Sequence, residues 1–158
     1  MGAVMGSKNL KAIAVRGTLG LPIRFPKKAL EYYRHLTDKM LSRKVSQVMQ
    51  TWGTMFIYGG ANAVGLVRTN NFLSNQLQEG QDLEAENMER VRVGYDSCFG
   101  CQVHCRQRYV MKEGPYAGTY GVGPEYSSQG AFGSLVGCTK LDTVLAVTIW
   151  LTIWVWTR

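Results

Sequence analysis

Several residue types are scarce in this sequence, and each shortage excludes a class of protein. Proline accounts for only 4 of the 158 residues, which argues against proline-rich linkers. Charged residues make up 18% and hydrophobic residues 46%, so wholesale disorder is excluded. Four cysteines are too few for a disulfide-dense miniprotein. The chain therefore has the composition of a protein with a buried core.

Long apolar runs are missing as well. The most apolar stretch, Val144–Trp156, is shorter than the roughly 20 residues that a membrane-spanning helix needs. Residues 1–18 contain scattered lysines and no apolar run followed by a cleavage site, so no secretory signal is visible. With three of the four cysteines crowded together, these features predict a reducing, cytoplasmic location and no membrane span.

Glycine and positive charge are abundant. The 18 glycines indicate tight turns or backbone close to a ligand. Lys and Arg number 18 against 11 Asp and Glu, a formal charge of +7, and much of it lies in the first 44 residues. This excess of positive charge is typical either of a solvent-exposed protein surface or of a protein whose partner carries phosphates or carboxylates. No dense basic run with interleaved aromatic residues is present, so nucleic acid is not expected as a partner.

The hydrophobic pattern predicts a mainly α-helical protein with a short β segment. A glycine-rich loop, Gly2–Asn9, precedes a predicted strand at Lys11–Val15. Further along, the patterns predict a flexible turn at Tyr58–Asn62, a strand or hairpin at Arg106–Tyr120, and helices in four places: Lys27–Gln50, Asp82–Arg92, Glu125–Leu135 and Lys140–Val147.

Both ends of the sequence read as incomplete. A lone strand at Lys11–Val15 has nothing to pair with, and the last ten residues contain three of the four tryptophans with almost no polar residue. We therefore expect a fragment of a longer chain, with residues 1–21 ending one domain, residues 22–148 forming part of a helical domain, and residues 149–158 forming an abnormal apolar tail outside the native reading frame.

The strongest chemical signal is a group of three cysteines, Cys98, Cys101 and Cys105, in the spacing C-x2-C-x3-C. Thiolates at this spacing can hold three corners of a cubane iron–sulfur cluster, with a fourth ligand from elsewhere. A structural zinc site remains an alternative, with His104 or Cys138 as a further ligand. A disulfide is disfavoured, and the spacing is the reverse of the radical S-adenosylmethionine motif. Cys138 itself reads best as a small buried hydrophobic residue.

Two further segments carry chemistry less specifically. Gly2–Asn9 contains small residues that would let backbone N–H groups approach an anion, with Lys8 adding charge, although an ordinary turn fits equally well. Glu125 follows a rigid Gly123–Pro124 pair. It is either a positioned acid or base, or simply an acidic residue that stabilises the start of a helix.

Taken in order, the segment Gly2–Val15, the three cysteines and Gly123–Tyr126 resemble the tungsten-containing aldehyde:ferredoxin oxidoreductase family. The resemblance extends from residue 2 to about residue 147. It implies that the chain contains the end of an N-terminal cofactor-binding β domain and the start of a helical second domain. Such proteins oxidise aldehydes to carboxylic acids, in anaerobic metabolism, with ferredoxin or an iron–sulfur subunit as electron acceptor.

The resemblance also implies cofactors and site residues. Family members carry tungsten, sometimes molybdenum, on two pyranopterins beside a [4Fe–4S] cluster. Cys98, Cys101 and Cys105 correspond to cluster ligands, and Glu125 to a catalytic glutamate near the metal. Ala3 corresponds to a residue whose carbonyl binds the magnesium ion between the pterin phosphates. The residues that would approach the pterin phosphates are Gly2, Ala3, Gly6, Ser7, Lys8 and Asn9.

Some residues depart from the family pattern and leave alternatives open. Gln102 replaces the usual proline after the second cysteine, and Val136–Lys140 only loosely matches a later motif. The run Ser127–Gly133 is similar to the branch that includes the catalytic subunit of benzoyl-coenzyme A reductase, so an aromatic acyl-coenzyme A is a second possible substrate. A non-enzymatic iron–sulfur or zinc module, an inactive truncated product, and a homo-oligomer are further readings.

Overall fold

A computed structural model describes the backbone of residues 2–157 and the side chains of residues 2–151. The chain divides into two compact units, Met1–His35 and Leu36–Arg158. The described elements are mainly helical and are accompanied by one three-stranded sheet. The prediction of a mainly α protein with a short β segment is therefore confirmed at this level.

The first unit differs from the sequence-based prediction. Gly2–Ser7 is a short helix, α1, and not an open loop. Residues 10–18 contain no strand, so the predicted strand at Lys11–Val15 is wrong for this structure. A strand requires a hydrogen-bonded neighbour, and the sheet of the described residues is formed by residues 92–122. The alternating apolar residues of this segment consequently remain exposed.

The helix predicted at Lys27–Gln50 is two helices, α2 at Pro26–Leu41 and α3 at Lys44–Trp52. The interruption falls at Ser42 and Arg43, where Arg43 adopts an extended conformation. Ser42 Oγ donates a hydrogen bond to the Lys39 carbonyl at 3.1 Å. A serine side chain that bonds to nearby backbone competes with continued helix, which accounts for the break.

Two predictions in the middle of the chain are wrong in type. The region Tyr58–Asn62, expected to be a flexible turn, belongs to helix α4, Ile57–Ala63. The helix expected at Asp82–Arg92 is replaced by two 3₁₀ helices, Gln81–Leu83 and Ala85–Arg90. Tertiary packing decides both cases, because Tyr58, Leu83 and Met88 all lie in the buried core.

The sheet has the order β1-β2-β3 and is antiparallel throughout. Its strands are β1 at Arg92–Asp96, β2 at Arg106–Val110 and β3 at Tyr120–Val122. The hairpin predicted at Arg106–Tyr120 is confirmed, whereas β1 was not predicted. The register of the β1–β2 pairing shifts between Arg92 and Gly94. The long connection between β1 and β2 contains the three cysteines.

The C-terminal helices close the core. Helix α5 covers Tyr126–Phe132, a 3₁₀ helix follows at Ser134–Val136, and α6 covers Leu141–Thr157. Tyr109 on β2 is fully buried and donates a hydrogen bond to the Leu145 carbonyl of α6 at 2.9 Å. The sheet and α6 thus share one core, whose largest members are Tyr58, Tyr109, Met55, Leu83, Met88, Met111, Leu141 and Leu145.

Residues 149–157 continue helix α6 without a break in the backbone. The Trp150 ring packs edge-on against Tyr116, with ring centroids 5.9 Å apart. The side chains of Trp154 and Trp156, part of the predicted apolar tail, lie outside the described residues. Within the described part of the chain, no single helix is long and apolar enough to cross a membrane, and only the bent pair Tyr126–Val136 and Leu141–Leu151 reaches that length and composition, with a bend of 116°.

Candidate functional site

The three clustered cysteines lie on the loop that joins β1 to β2. Cys98 is exposed, and Cys101 and Cys105 are half-buried. The Cys101 N–H donates to the Cys98 carbonyl at 3.0 Å, which closes a turn around Gly100. Gly100 has a φ of +71°, a conformation that glycine adopts without strain. The spacing read from the sequence therefore places all three thiols on one tight, partly exposed loop.

The back of the loop rests on the junction between α3 and the 3₁₀ helix Gly53–Phe56. Gln50 donates a side-chain hydrogen bond to the Gln102 carbonyl at 3.3 Å. A Cβ atom on Gly53 would lie 2.5 Å from the Cys105 carbonyl oxygen, and Gly53 has a φ of +62°. Only glycine allows this approach, so Gly53 fixes the distance between the loop and the helix end.

The base of the loop is held by charge. The Ser97 N–H donates to the Asp96 carboxylate at 2.8 Å, and Arg106 donates to the Ser97 carbonyl at 2.9 Å. Asp96 also lies 3.6 Å from Arg106 and 3.7 Å from Arg108. These side chains project from paired positions of β1 and β2, so the hairpin end is clamped where the cysteine loop leaves it.

The Cys105 thiol is the electrostatic centre of the site. Burial raises the pKa of Cys105, and the nearby Glu125, Cys101 and Cys98 raise it further because each disfavours a second negative charge. Burial and the surrounding acidic groups thus disfavour the Cys105 thiolate. A bound cation would invert this balance and favour the thiolates.

The arrangement is not that of a site for a single metal ion. Among the side chains of residues 2–151, no group of three or more His, Cys, Asp and Glu residues is arranged to hold one. His104, the proposed extra zinc ligand, is exposed and has a φ of +53°. Cys138, the other candidate, packs against the hydrophobic core, and its Sγ contacts the Lys140 carbonyl at 3.7 Å. Its packing agrees with the expectation of a small hydrophobic residue.

Glu125 stands immediately before helix α5, as the Gly-Pro-Glu sequence predicts. It is half-buried and occupies the N-cap position, but its side chain does not cap the helix. Instead Glu125 Oε2 accepts a hydrogen bond from Thr54 Oγ1 at 2.5 Å. The same hydroxyl accepts a hydrogen bond from the Tyr126 N–H at 2.9 Å. Thr54 thus performs the capping, and the Glu125 carboxylate is directed toward Thr54 and away from the helix end.

The glycine-rich segment does not form the predicted anion loop. The Lys8 N–H donates to the Met5 carbonyl at 3.1 Å, and the Asn9 N–H donates to the Gly6 carbonyl at 3.0 Å. In this conformation those two N–H groups are used within the turn. The predicted phosphate-contacting residues are exposed: Gly2, Ala3, Gly6, Ser7, Lys8 and Asn9.

Sequence reasoning found the cysteines and Glu125 but missed the residues that hold them in place. Gly53 lies just beyond the predicted helix Lys27–Gln50, where an isolated glycine can signal a close backbone approach. Thr54 carried no local signal, because its partners Glu125 and Tyr126 are 71 and 72 residues away.

The profile of the aldehyde ferredoxin oxidoreductase family, domains 2 and 3, matches residues 31–151. That match covers well over half of the chain. The chain belongs to the aldehyde ferredoxin oxidoreductase family. The resemblance inferred from the glycine-rich segment, the cysteines and Glu125 is confirmed.

Curated relatives in the aldehyde ferredoxin oxidoreductase family are similar over nearly the whole chain. A tungsten-containing aldehyde ferredoxin oxidoreductase from Pyrococcus horikoshii is 32% identical over 148 residues, which are 92% of this chain and 24% of the relative. The enzyme of that name from Thermococcus kodakarensis is 30% identical over 149 residues, with the same coverage. An aliphatic sulfonate oxidoreductase, WOR-like subunit, from Pyrococcus furiosus is 31% identical over 155 residues, covering 91% of this chain and 23% of that protein. The chain thus spans about a quarter of the length of these relatives.

Proposed function

We propose that this chain is part of a tungsten- or molybdenum-pterin oxidoreductase that oxidises aldehydes to carboxylic acids and passes the electrons to ferredoxin. The observation that supports this best is the turn at Gly53 and Thr54, which lies against the Cys105 carbonyl and donates a hydrogen bond to Glu125, so that a cysteine loop and a candidate proton-transfer group adjoin the same turn. Family membership supports the oxidoreductase class and a tungsten pterin cofactor. The reaction of the whole protein is a proposal because the chain matches about a quarter of its relatives.

Cys98, Cys101 and Cys105 are proposed to hold three corners of a [4Fe–4S] cluster. The three thiols share one loop, and Cys105 responds electrostatically to both others. A cubane cluster takes one ligand at each of its four corners, so three cysteines on one loop supply three of them. The half-buried position of Cys101 and Cys105 would shield such a cluster from solvent on one side.

The pterin contacts of Gly2, Ala3, Gly6, Ser7, Lys8 and Asn9, with a magnesium ion at the Ala3 carbonyl, remain proposals drawn from the resemblance. The exposed helix α1 forms no cradle for a phosphate, and the Lys8 and Asn9 N–H groups are already bonded. In this conformation those two N–H groups do not reach a phosphate, and the segment is assigned no step of the reaction.

Glu125 is proposed to exchange a proton with the substrate or water. Oxidation of an aldehyde with one water molecule gives a carboxylate, two electrons and three protons, so a base near the reacting carbon is required. When bound, the pterin-held metal supplies the two-electron exchange. The Glu125 carboxylate is half-buried, and its orientation is fixed by Thr54, as expected of a group that accepts one of those protons.

The electron acceptor, the domain limits and the substrate class of the whole protein are proposed on separate grounds. The +7 charge favours an acidic electron acceptor such as ferredoxin. Residues 1–21 are proposed to end a preceding cofactor-binding domain, and residues 22–148 to form part of the helical domain. A relative named as an aliphatic sulfonate oxidoreductase makes sulfonates a third candidate substrate class, after aldehydes and the aromatic acyl-coenzyme A suggested by Ser127–Gly133.

A chimaeric holoenzyme tests the proposal. The matching segment of the Pyrococcus horikoshii relative is replaced by this chain, and the protein is purified without oxygen. We expect iron and sulfide for one [4Fe–4S] cluster, stoichiometric tungsten or molybdenum, and ferredoxin reduction with aldehydes. Aromatic acyl-coenzyme A compounds and aliphatic sulfonates are assayed in parallel to separate the substrate classes.

Matched cysteine variants test the cluster assignment. Cys101→Ser is expected to lose the iron and sulfide, whereas Cys138→Ser retains both because Cys138 packs against the core away from the loop turn. Stoichiometric zinc without sulfide would show that the cysteines form a zinc site. A chimaera that contains its metals but has no redox activity would contradict the proposed oxidoreductase function.

A further inference from the structure

We infer that Thr54 is a positioning residue that holds the Glu125 carboxylate in its working orientation, an inference that rests on the proposed role of Glu125 in proton transfer. Thr54 lies in the 3₁₀ helix Gly53–Phe56, 71 residues before Glu125. Its hydroxyl joins Glu125 Oε2 to the Tyr126 N–H, at 2.5 and 2.9 Å respectively. Thr54 thus contacts the acid itself and the first turn of helix α5.

The bonding capacity of a hydroxyl fixes the direction of this bridge. A threonine hydroxyl has one proton to donate and lone pairs with which to accept. The Tyr126 N–H can only donate, so the hydroxyl oxygen accepts from it. The single hydroxyl proton is then committed to Glu125 Oε2, which has to be an acceptor. The Thr54 hydroxyl therefore favours an unprotonated Oε2 on Glu125. The other carboxylate oxygen, Oε1, is left to exchange the proton.

Thr54 is itself held firmly, which is the requirement for a residue that positions another. Gly53 before it packs against the Cys105 carbonyl, and Met55 after it is 1% exposed in the core. The side chain of threonine is branched at Cβ and has a restricted χ1. On the opposite side, the buried Gly123 donates its N–H to the Gln107 carbonyl at 2.9 Å, which anchors the approach to Glu125.

The same short turn fixes the carboxylate relative to the cysteine loop. Gly53 sets the distance to Cys105, and the adjacent Thr54 sets the orientation of Glu125. A displacement of about 1 Å at a reacting group can cost up to about 100-fold in rate. Loss of the Thr54 hydroxyl should therefore reduce turnover without preventing the fold or the binding of substrate.

Two variants separate the hydroxyl from the shape of the side chain. Thr54→Val keeps the branched shape and removes the hydrogen bonds, whereas Thr54→Ser keeps the hydroxyl. Amide exchange at Tyr126 is followed by NMR in the 158-residue chain that also carries Leu19→Lys and Leu21→Lys, at two exposed positions where charge opposes self-association. We expect exchange to accelerate about 5- to 10-fold in Thr54→Val, the factor that corresponds to one lost hydrogen bond. Exchange in Thr54→Ser should stay within about twofold of the original chain.

The functional role is measured in the chimaeric holoenzyme. Thr54→Val is expected to lower kcat about 10- to 100-fold with little change in KM or in iron and sulfide content, and Thr54→Ser to restore most of kcat. When Glu125→Gln is already present, Thr54→Val should cause little additional loss, because the residue that it positions is gone.

The possible results separate this inference from the proposed function. If Glu125→Gln lowers turnover while Thr54→Val leaves it unchanged, or if the two losses simply multiply, Thr54 is not the positioning residue although the proposed function stands. If neither variant changes turnover in an active chimaera, Glu125 itself is excluded from the reaction. Unchanged Tyr126 exchange in Thr54→Val would contradict the hydroxyl bridge directly, whatever the activity.

Discussion

At the scale of single residues, the site depends on three side chains or backbone positions with different physical constraints. Gly53 is required because a Cβ atom would collide with the Cys105 carbonyl. Glu125 is constrained by a hydrogen bond from Thr54. Cys105 is constrained by burial and by the negative groups around it, which raise its thiol pKa. Each constraint can be tested separately.

Replacement of Glu125 by glutamine tests its chemical role. Glutamine can still accept the hydrogen bond from Thr54, so the free energy of unfolding of the 158-residue chain should change by less than about 1 kcal/mol. Turnover of the chimaeric enzyme should fall by about 10²- to 10⁴-fold, the usual cost of removing a general acid or base. Unchanged steady-state rates across the pH range would remove Glu125 from the mechanism.

Gly53→Ala should destabilise the chain strongly. The added Cβ would lie 2.5 Å from a backbone oxygen, at a residue whose φ is +62°. The combined strain and clash should cost about 2–4 kcal/mol in the free energy of unfolding, measured by urea denaturation. Gly60→Ala in helix α4 is the matched control, because nothing lies within 4 Å of its Cβ position. Gly60→Ala should leave the free energy of unfolding unchanged or raise it slightly. Equal effects of Gly53→Ala and Gly60→Ala would contradict the close packing of Gly53.

At the scale of secondary-structure elements, the start of helix α6 depends on a distant carboxylate. Asp82, in the 3₁₀ helix Gln81–Leu83, accepts the Leu141 N–H at 2.9 Å and also pairs with Arg90 at 2.7 Å. Arg90 reaches Asp142 at 3.3 Å as well. This explains why the region around Asp82 does not form the predicted α-helix, since its acidic residue serves another helix across the core.

Asp82→Ala should lower the free energy of unfolding by about 1–2 kcal/mol, because it removes a helix-start acceptor and an ion pair together. Asp142→Ala is the control. Its side chain is 42% exposed and its contact with Arg90 is longer, so it should cost only a few tenths of a kcal/mol. Urea denaturation at neutral pH measures both variants, and a larger loss in Asp142→Ala would contradict the assignment.

The pH dependence of stability gives an independent check on Asp82. Burial acts to raise the pKa of Asp82, but hydrogen bonds from Arg90 and the Leu141 N–H, with the charge of Arg90, outweigh it and bring the pKa below 3.8. The stabilisation is therefore complete above that value and is lost as the pH falls through the lower pKa of the folded state. Asp82→Asn should flatten the stability profile in this acidic range. A profile identical to that of the original chain would show that Asp82 is not the titrating group.

At the scale of the whole molecule, the two units differ in how well they bury their apolar residues. The second unit contains the hydrophobic core described above. In the first unit, apolar residues alternate along a segment without helix or strand, where Val15, Leu19 and Leu21 are each at least 90% exposed. Exposed alternating apolar residues are a recognised cause of self-association.

The 158-residue chain by itself should therefore self-associate. Leu19→Lys combined with Leu21→Lys should increase the monomer fraction in analytical ultracentrifugation, because charge on an exposed apolar segment opposes strand addition. Asn75→Lys combined with Gln78→Lys, at two exposed residues of the second unit, adds the same charge elsewhere and should have less effect. Equal improvement by both changes would show that net charge, and not this segment, controls association.

Local patterns in the sequence were sufficient to select the three cysteines and Glu125 as candidate site residues and to identify the family, because their chemistry lies in residue type and short-range spacing. The helical periodicity likewise gave α2, α3, α5 and α6, although not their limits. Tertiary structure decided the rest. Strand β1 exists because β2 pairs with it, and the predicted strand at Lys11–Val15 is not formed because no described strand pairs with it. Thr54 reaches Glu125, and Asp82 reaches Leu141, across 71 and 59 residues. Contacts over such separations follow from core packing, which local sequence patterns do not specify.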